Sequence, residues 1–356
     1  MNNFKNSVMN CQFVRVFRRE LVRMVSRRLY FGVCVVLPLF CIFFMSTIFG
    51  NGQMENIPVG IVDLDNTATS RNISRRISAA PTFRVTEHFT DEADARRALQ
   101  QKDIYGYLVI PPRFEQKAVT GTGATLTYYY HYALLSVGSE LMAAFENTLA
   151  PVALSPIVMQ AEALGVSGEQ IQTFLLPVEA STHPLYNPDM DYSIYLSQPF
   201  FFVLFQILIL LTTVYSIGSE LKFGSAGEWL EMARGNILTA VAGKLLPYTL
   251  IFSSIGILAN YVLFGPLHIP FAGSLWLMNA VTVLFIIATQ ALAVFIYSVF
   301  PKIAYIISVV SMVGSLGATL SGVTFPVTAM YAPVHAASYL FPVRHFTEAA
   351  QALIYF

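Results

Sequence analysis

Long stretches without a charge dominate the order of apolar and polar positions. Arg28 and Glu55 bracket one, Asp191 and Glu220 a second, Lys244 and Lys302 a third, and Lys302 and Arg344 a fourth. A charge at the centre of a bilayer costs roughly 2.5–3.5 kcal/mol on insertion scales, and a crossing helix needs about 20 apolar residues. The third stretch is interrupted by GPLHIP at 265–270, a Gly/Pro loop signal, so it holds two crossings. The pattern predicts five spans, at about 29–49, 195–217, 242–264, 275–299 and 303–323. Pro38 predicts a bend in the first, which membrane helices tolerate. The segment after the fifth carries Pro326, Pro333, Pro342 and His335. It reads as helices at the membrane boundary or dipping back into it, not as a sixth crossing.

The periodicity changes between the first two spans. Residues 57–63, 82–88, 104–111 and 124–131 read as strands, and 69–80, 91–102 and 112–119 as helices. Alternating strands and helices predict an α/β domain with parallel or mixed pairing. From Leu134 to about Ala163 the pattern is that of a long helical region, interrupted near Pro151 and Pro156. The expected fold class is an α-helical integral membrane bundle with an inserted extracytoplasmic α/β domain. Its parts are 1–28, 29–49, 50–192, 193–323 and 324–356. The first is an amphipathic elbow helix, with Phe13, Val14, Phe17, Leu21, Met24 and Val25 on one face and Arg15, Arg18, Arg19 and Arg23 on the other. Such a helix suits the cytoplasmic bilayer surface. It reads either as a positively charged anchor alone or also as a contact for a cytoplasmic partner.

Composition sharpens this picture. Apolar residues are 55% of the 356 and charged residues 12%, where soluble domains run near 25% charged. An ordinary cytosolic enzyme and a disordered chain are both excluded. Net charge is zero, which argues against a generally basic nucleic-acid binder. Lys5, Arg15, Arg18, Arg19, Arg23, Arg27 and Arg28 precede the first span against a single acid, Glu20. The positive-inside rule therefore places the N-terminus in the cytoplasm, with Lys222, Arg234 and Lys302 on the same side. Residues 51–191 are then outside, with sixteen acids against nine bases. Cys11, Cys34 and Cys41 are the three cysteines, so the outer domain cannot rest on disulfides.

The chemistry is mostly absent. There is no G-x-x-x-x-G-K-[ST], no H-E-x-x-H and no G-x-S-x-G, so neither ATP hydrolysis nor a zinc site is expected on this chain. No cofactor is expected on it. Asp63-Leu64-Asp65-Asn66-Thr67 resembles the first motif of haloacid-dehalogenase-type phosphatases, but these residues also suit the end of a strand and the cap of the next helix. Among the polar residues within spans Gln198, Gln206 and Gln290 stand out, with Thr212, Thr213 and Asn279. They either hydrogen-bond between helices or line a translocation path. No ionisable relay stands mid-span, so the energy for any transport must come from elsewhere. Between the second and third spans, Glu220, Lys222, Gly224, Ser225, Glu228, Trp229, Glu231 and Arg234 form a short charged helical stretch with an apolar face, on which Trp229 is expected as an exposed aromatic. It is either a docking element for a partner or an ordinary solvated loop.

Four passages, in order, carry a family resemblance: IPVGIVDLDNTATSR; YGYLVIPPRFEQ; the 218–251 loop, with Glu220, Gly224, Glu228, Gly243, Lys244 and Pro247; and LSGVTFPVTAM with LFPVRHFTEAAQ. Together they resemble the permease subunit of type-2 ABC exporters, in the subgroup with a large extracytoplasmic domain after the first span. Ser225 stands where Thr is common in that family, Gly227 where a bulkier residue is usual, and Leu221-Lys222 in place of a more acidic-basic pair. The resemblance implies a permease in a bacterial plasma (inner) membrane, moving an amphipathic or hydrophobic substrate outward. A separate ABC ATPase dimer, holding ATP and magnesium, would dock on the 220–234 stretch. A second permease copy or paralogue is implied, and a periplasmic adaptor and outer-membrane channel are partners for the outer domain. Family members have six spans, which implies a last helix missing from this sequence. The rival expectations are a membrane-anchored phosphatase using Asp63 and Asp65, and a membrane anchor or sensor without transport.

Overall fold

A computed structural model describes residues 12–48, 52, 54–120, 122–163, 187 and 191–355. Lys5, Cys11, the last residue of the expected first span and the approach to the second span lie outside the described residues. The chain divides into two units. One comprises Met1–Gly52 with Pro184–Phe356, and the other Gln53–His183.

The first unit is helical. It contains α1 (Gln12–Ser26), α2 (Arg28–Ile48), α7 (Tyr192–Lys222), α8 (Ala226–Met232), α9 (Ile237–Phe264), α10 (Leu275–Val299), α11 (Ile303–Thr319), α12 (Ala332–Ser338) and α13 (Pro342–Tyr355). Helices α2, α7, α9 and α10 are long and apolar enough to cross a membrane, and α11 is a shorter apolar helix of 17 residues. Four of the five expected spans are therefore helices of crossing length, with α7 and α9 reaching further than charge-free runs allow, while the fifth, expected at 303–323, ends at Thr319. Lys244 is inside α9 and Glu220 inside α7 because their charges are neutralised by protein, as described below. The core between these helices is aromatic: Phe201, Phe202, Phe205, Phe252, Phe285 and Phe346 are all buried, with the Phe202 and Phe346 rings 4.1 Å apart.

The bend expected at Pro38 has a specific form. Gly32–Val36 is a π turn, in which the Leu37 N–H donates to the Gly32 carbonyl, five residues back. A wide turn just before a proline absorbs the carbonyl that its ring would otherwise strike.

The second unit, the insert, is a four-stranded mixed sheet in the order β2 (Phe83–Phe89), β1 (Ile57–Asp63), β3 (Gly106–Ile110), β4 (Thr127–Tyr130). β1 is parallel to β2 and β3, while β4 runs antiparallel to β3. Alternate side chains cover both faces. Val59, Ile61, Leu108 and Ile110 meet α3 (Ala68–Ala79), α5 (Phe114–Thr120) and α6 (Leu135–Ala163) through Ile73, Ile77, Phe114, Leu141 and Phe145. Val62, Tyr107 and Val109 meet α4 (Glu92–Gln101) through Ala95 and Ala98. The mixed pairing agrees with the expectation. The interruption expected near Pro151 and Pro156 is absent, because α6 runs unbroken past both.

Candidate functional site

The end of α7 that leads into α8 is built by local rules. Gly224 adopts a left-handed φ of 69° just past the helix. Its N–H donates to the Leu221 carbonyl (3.3 Å), and the Ser225 N–H donates to the Glu220 carbonyl (2.9 Å). This is a Schellman closure, which needs a residue free to take positive φ. It returns Ser225 over the helix end, where its hydroxyl donates to the Glu220 carboxylate. Asn236 begins α9, its Oδ1 accepting the Thr239 N–H at 3.2 Å.

Glu220 is fully buried and is the centre of an ion cluster. Arg19 Nη1 and Nη2 donate to its two carboxylate oxygens at 2.9 and 3.0 Å, Arg23 donates to the same carboxylate, and Lys244 Nζ donates to it at 2.7 Å. Lys244 Nζ also donates to Glu20 at 2.6 Å. The second Glu20 oxygen accepts the Tyr248 hydroxyl at 2.6 Å. Glu20 and Lys244 are buried as completely as Glu220. Charges can be held out of water only when paired and hydrogen-bonded, and removing one partner typically costs about 3–5 kcal/mol. The cluster ties α1, the α7–α8 turn and α9 into one body.

The packing around it explains the local sequence. Val16, Glu20 and Met24 form the buried face of α1. A Cβ on Gly243 would lie 3.0 Å from Val16 Cβ and 3.2 Å from the Phe13 carbonyl, so the glycine lets α1 lie directly on α9. Leu21 and Val25 are exposed, while Arg19 and Arg23 turn into the cluster, because the carboxylates of Glu20 and Glu220 outweigh the pull of apolar side chains.

The eight residues expected to form a docking element divide by exposure. Glu220 and Trp229 are buried, Ser225 is half-buried, and Lys222, Gly224, Glu228, Glu231 and Arg234 are exposed. Trp229 is thus not an exposed aromatic. Its indole N–H donates to the Ala240 carbonyl at 3.1 Å, and its ring faces the Lys244 ammonium at 5.3 Å. The surface of α8 that remains carries Glu228 and Glu231 with the exposed Leu230, and Phe223 is exposed at the end of α7 just before it.

Three of the six polar residues singled out in the spans make hydrogen bonds between helices. Gln206 Oε1 accepts the Val343 N–H at 2.9 Å, Thr249 donates to Gln290 Oε1 at 2.7 Å, and Asn260 donates to Asn279 Oδ1 at 3.0 Å. Gln198, Thr212 and Thr213 are buried, with both amide atoms of Gln198 and the two threonine hydroxyls lacking a hydrogen-bond partner.

The Asp63-x-Asp65 pair is occupied by its own loop, the first turn of α3 and the first turn of α5. Asp63 accepts the N–H groups of Asp65 and Asn66, both at 3.0 Å, and the Ser70 hydroxyl at 2.7 Å. Asp65 accepts the N–H groups of Phe114 and Glu115 at 2.9 and 3.0 Å and the Thr67 hydroxyl at 2.8 Å. Both carboxylates serve as caps, and among the described residues no group of side chains is arranged to hold a metal. Partial burial pushes the Asp65 carboxyl up, but the N–H of Glu115, the Thr67 hydroxyl and the N–H of Phe114 outweigh it and hold the pKa below the ordinary value. A depressed folded pKa means that this stabilisation is present above about pH 4 and is lost as pH falls through the folded value. Hydrogen exchange in α5 is expected to accelerate on acidification below that point, and Asp65→Asn to abolish the pH-dependent part.

The other members of the ion cluster were hidden in plain sequence. A lone acid, Glu20, sits in the Val16–Met24 register of an arginine-rich helix, and Lys244 and Tyr248 share one face of α9 at i, i+4 spacing. Residues 28–356 match the family described as ABC-2 family transporter protein. No curated protein and no solved structure matches the chain.

Proposed function

The chain belongs to the ABC-2 transporter family, and from that premise we propose that its buried ion cluster is the joint through which an ATPase moves the spans. As a member it is a multi-pass transport subunit with no catalytic domain of its own, and membership implies an ABC ATPase partner. In this reading a cytoplasmic ATPase dimer, which binds the ATP and magnesium, seats against the exposed acids Glu228 and Glu231. The reading puts the α8 end of the bundle in the cytoplasm, which the basic residues Lys222, Arg234 and Lys302 support, and the insert outside. The bundle pairs with a second permease copy or paralogue and carries an amphipathic or hydrophobic substrate outward through a bacterial plasma membrane. The acidic insert faces that substrate or a periplasmic adaptor leading to an outer-membrane channel.

The observation that carries this reading is the sharing of Glu220 by Arg19, Arg23, Lys244 and Ser225. A push on α8 reaches α1, α7 and α9 together, because the three cannot separate without exposing unpaired charge inside the protein. The test has two arms. An ABC ATPase is expected to purify with the full-length chain from native membranes. Glu228→Arg, at an exposed position, is expected to lower transport-coupled ATP hydrolysis about tenfold or more, as reversal of a charge at an interface does, with the thermal transition of the permease unchanged. Absence of a co-purifying ATPase together with full activity in Glu228→Arg would sink the reading.

A further inference from the structure

A second ionic feature is beside the first half of α7. Phe341 follows α12, and α13 begins where the Val343 N–H meets Gln206, roughly 20 Å along α7 from Tyr192 at 1.5 Å per residue. The next residue, Arg344, is 4% exposed. Its Nη1 donates to the Ser338 hydroxyl at 2.6 Å and the His335 carbonyl at 3.3 Å. Nη2 is 3.4 Å from His335 Nε2, and the guanidinium stacks 3.7 Å from the Tyr339 ring centre. None of these partners is a carboxylate: they are a hydroxyl, a backbone carbonyl, an imidazole nitrogen and a ring face. Among the described residues no carboxylate is in ion-pair distance of Arg344, in contrast to the fully paired cluster around Glu220.

Arg344 Nε and Thr347 Oγ1 are buried without a hydrogen-bond partner, and both residues line one cavity of about 570 Å³, with Tyr195, Ser321, Glu348 and Gln351 on its walls. That is within the range of roughly 300–1,000 Å³ typical of ligand sites. A buried guanidinium held in one orientation without a carboxylate is a site for an anion: its Nη groups are already engaged, and its unpartnered Nε is a charge-assisted donor for a phosphate or carboxylate oxygen.

We propose that this cavity binds the phosphate or carboxylate head of an anionic amphiphile, on Arg344 with the Thr347 hydroxyl as a further donor. The head's negative charge completes the pairing that the chain leaves open. Glu348, exposed at the same cavity, weakens the binding of such a head by like-charge repulsion. The inference extends the export reading by naming the charge of what this part of the bundle holds. Binding is a property of the permease alone, so its failure is distinguishable from failure of the ATPase coupling.

The test uses the purified full-length chain in phosphatidylcholine nanodiscs, with retained ligand read by native mass spectrometry. One arm dopes the disc with phosphatidylglycerol; the other adds dodecyl phosphate from solution. Arg344→Gln is expected to lower retention of the anionic probe about tenfold, the worth of a charge-assisted hydrogen-bonded pair, with phosphatidylcholine retention unchanged. Glu348→Gln is expected to raise it about threefold by removing an exposed like charge. A loss confined to phosphatidylglycerol identifies a membrane lipid as the ligand, and one confined to dodecyl phosphate a solute amphiphile. The opposite sign expected for Glu348→Gln cannot come from misfolding, so that variant decides the matter alone if Arg344→Gln does not fold. Unchanged retention of both probes in Arg344→Gln, or no gain for either in Glu348→Gln, overturns the proposal.

Discussion

Glu220→Ala is expected to lose about 3–5 kcal/mol of stability, the penalty for removing one member of a buried ion pair. The loss should appear as a lower thermal transition of the detergent-solubilised chain. The carboxylate accepts from Arg19, Arg23, Lys244 and Ser225, so its removal leaves Lys244 with only Glu20 and strands two half-buried guanidinium groups. Glu220→Gln preserves shape and two hydrogen-bonding atoms but not the charge, and should fall between wild type and Ala. Lys244→Met provides the reciprocal measurement. Its cost combined with Glu20→Gln should be less than the sum of the single variants, because each alone leaves a buried charge without its counter-ion. Additive costs would show that the cluster does not act as a unit.

Gly243→Val should detach α1 from α9. Even an alanine Cβ would come within 3.0 Å of Val16 and 3.2 Å of the Phe13 carbonyl, closer than such atoms rest, and valine adds two methyls with a stiff χ1. Overpacking of this kind costs typically about 1–3 kcal/mol. Here the displacement also pulls Glu20 from Lys244, so the loss should exceed that range. Gly243→Ala should need only a shift of a few tenths of an ångström and cost much less. Limited trypsin digestion at Arg15 and Arg18 reads out the difference: rapid cleavage in Val, little change in Ala. Equal resistance in both would mean that α1 is not held by this contact.

The bundle was legible in the sequence because hydrocarbon penalises charge so heavily that its absence is itself a signal. The same rule concealed the joint. Glu220 and Lys244 delimit charge-free runs, and a residue that ends a run reads as a surface residue. Their burial depends on Arg19, Glu20 and Arg23, which spacing along the chain cannot connect to them. Trp229 was misread for a related reason: its neighbours are exposed, and only the carbonyl of Ala240 and the ammonium of Lys244 explain why it turns inward. The α/β insert was readable nearly strand by strand, since both faces of its sheet are covered and its turns carry their own caps. The π turn before Pro38 was not, because no residue type marks it. Arg344 ended the last charge-free run and drew no attention, as its burial follows from the placement of α12 and α13.

Pairing across such distances also sets an order of assembly. Glu20 and Lys244 are 224 residues apart, so at a ribosomal pace of about 5–20 residues per second the acid waits roughly 10–45 s for its cation. During that interval α1 can only rest at the water interface, its carboxylate hydrated. Closure of the joint is therefore a late step of biogenesis, gated by insertion of α9, and a chain stalled before Lys244 would leave the ribosome with its first helix undocked and open to proteolysis.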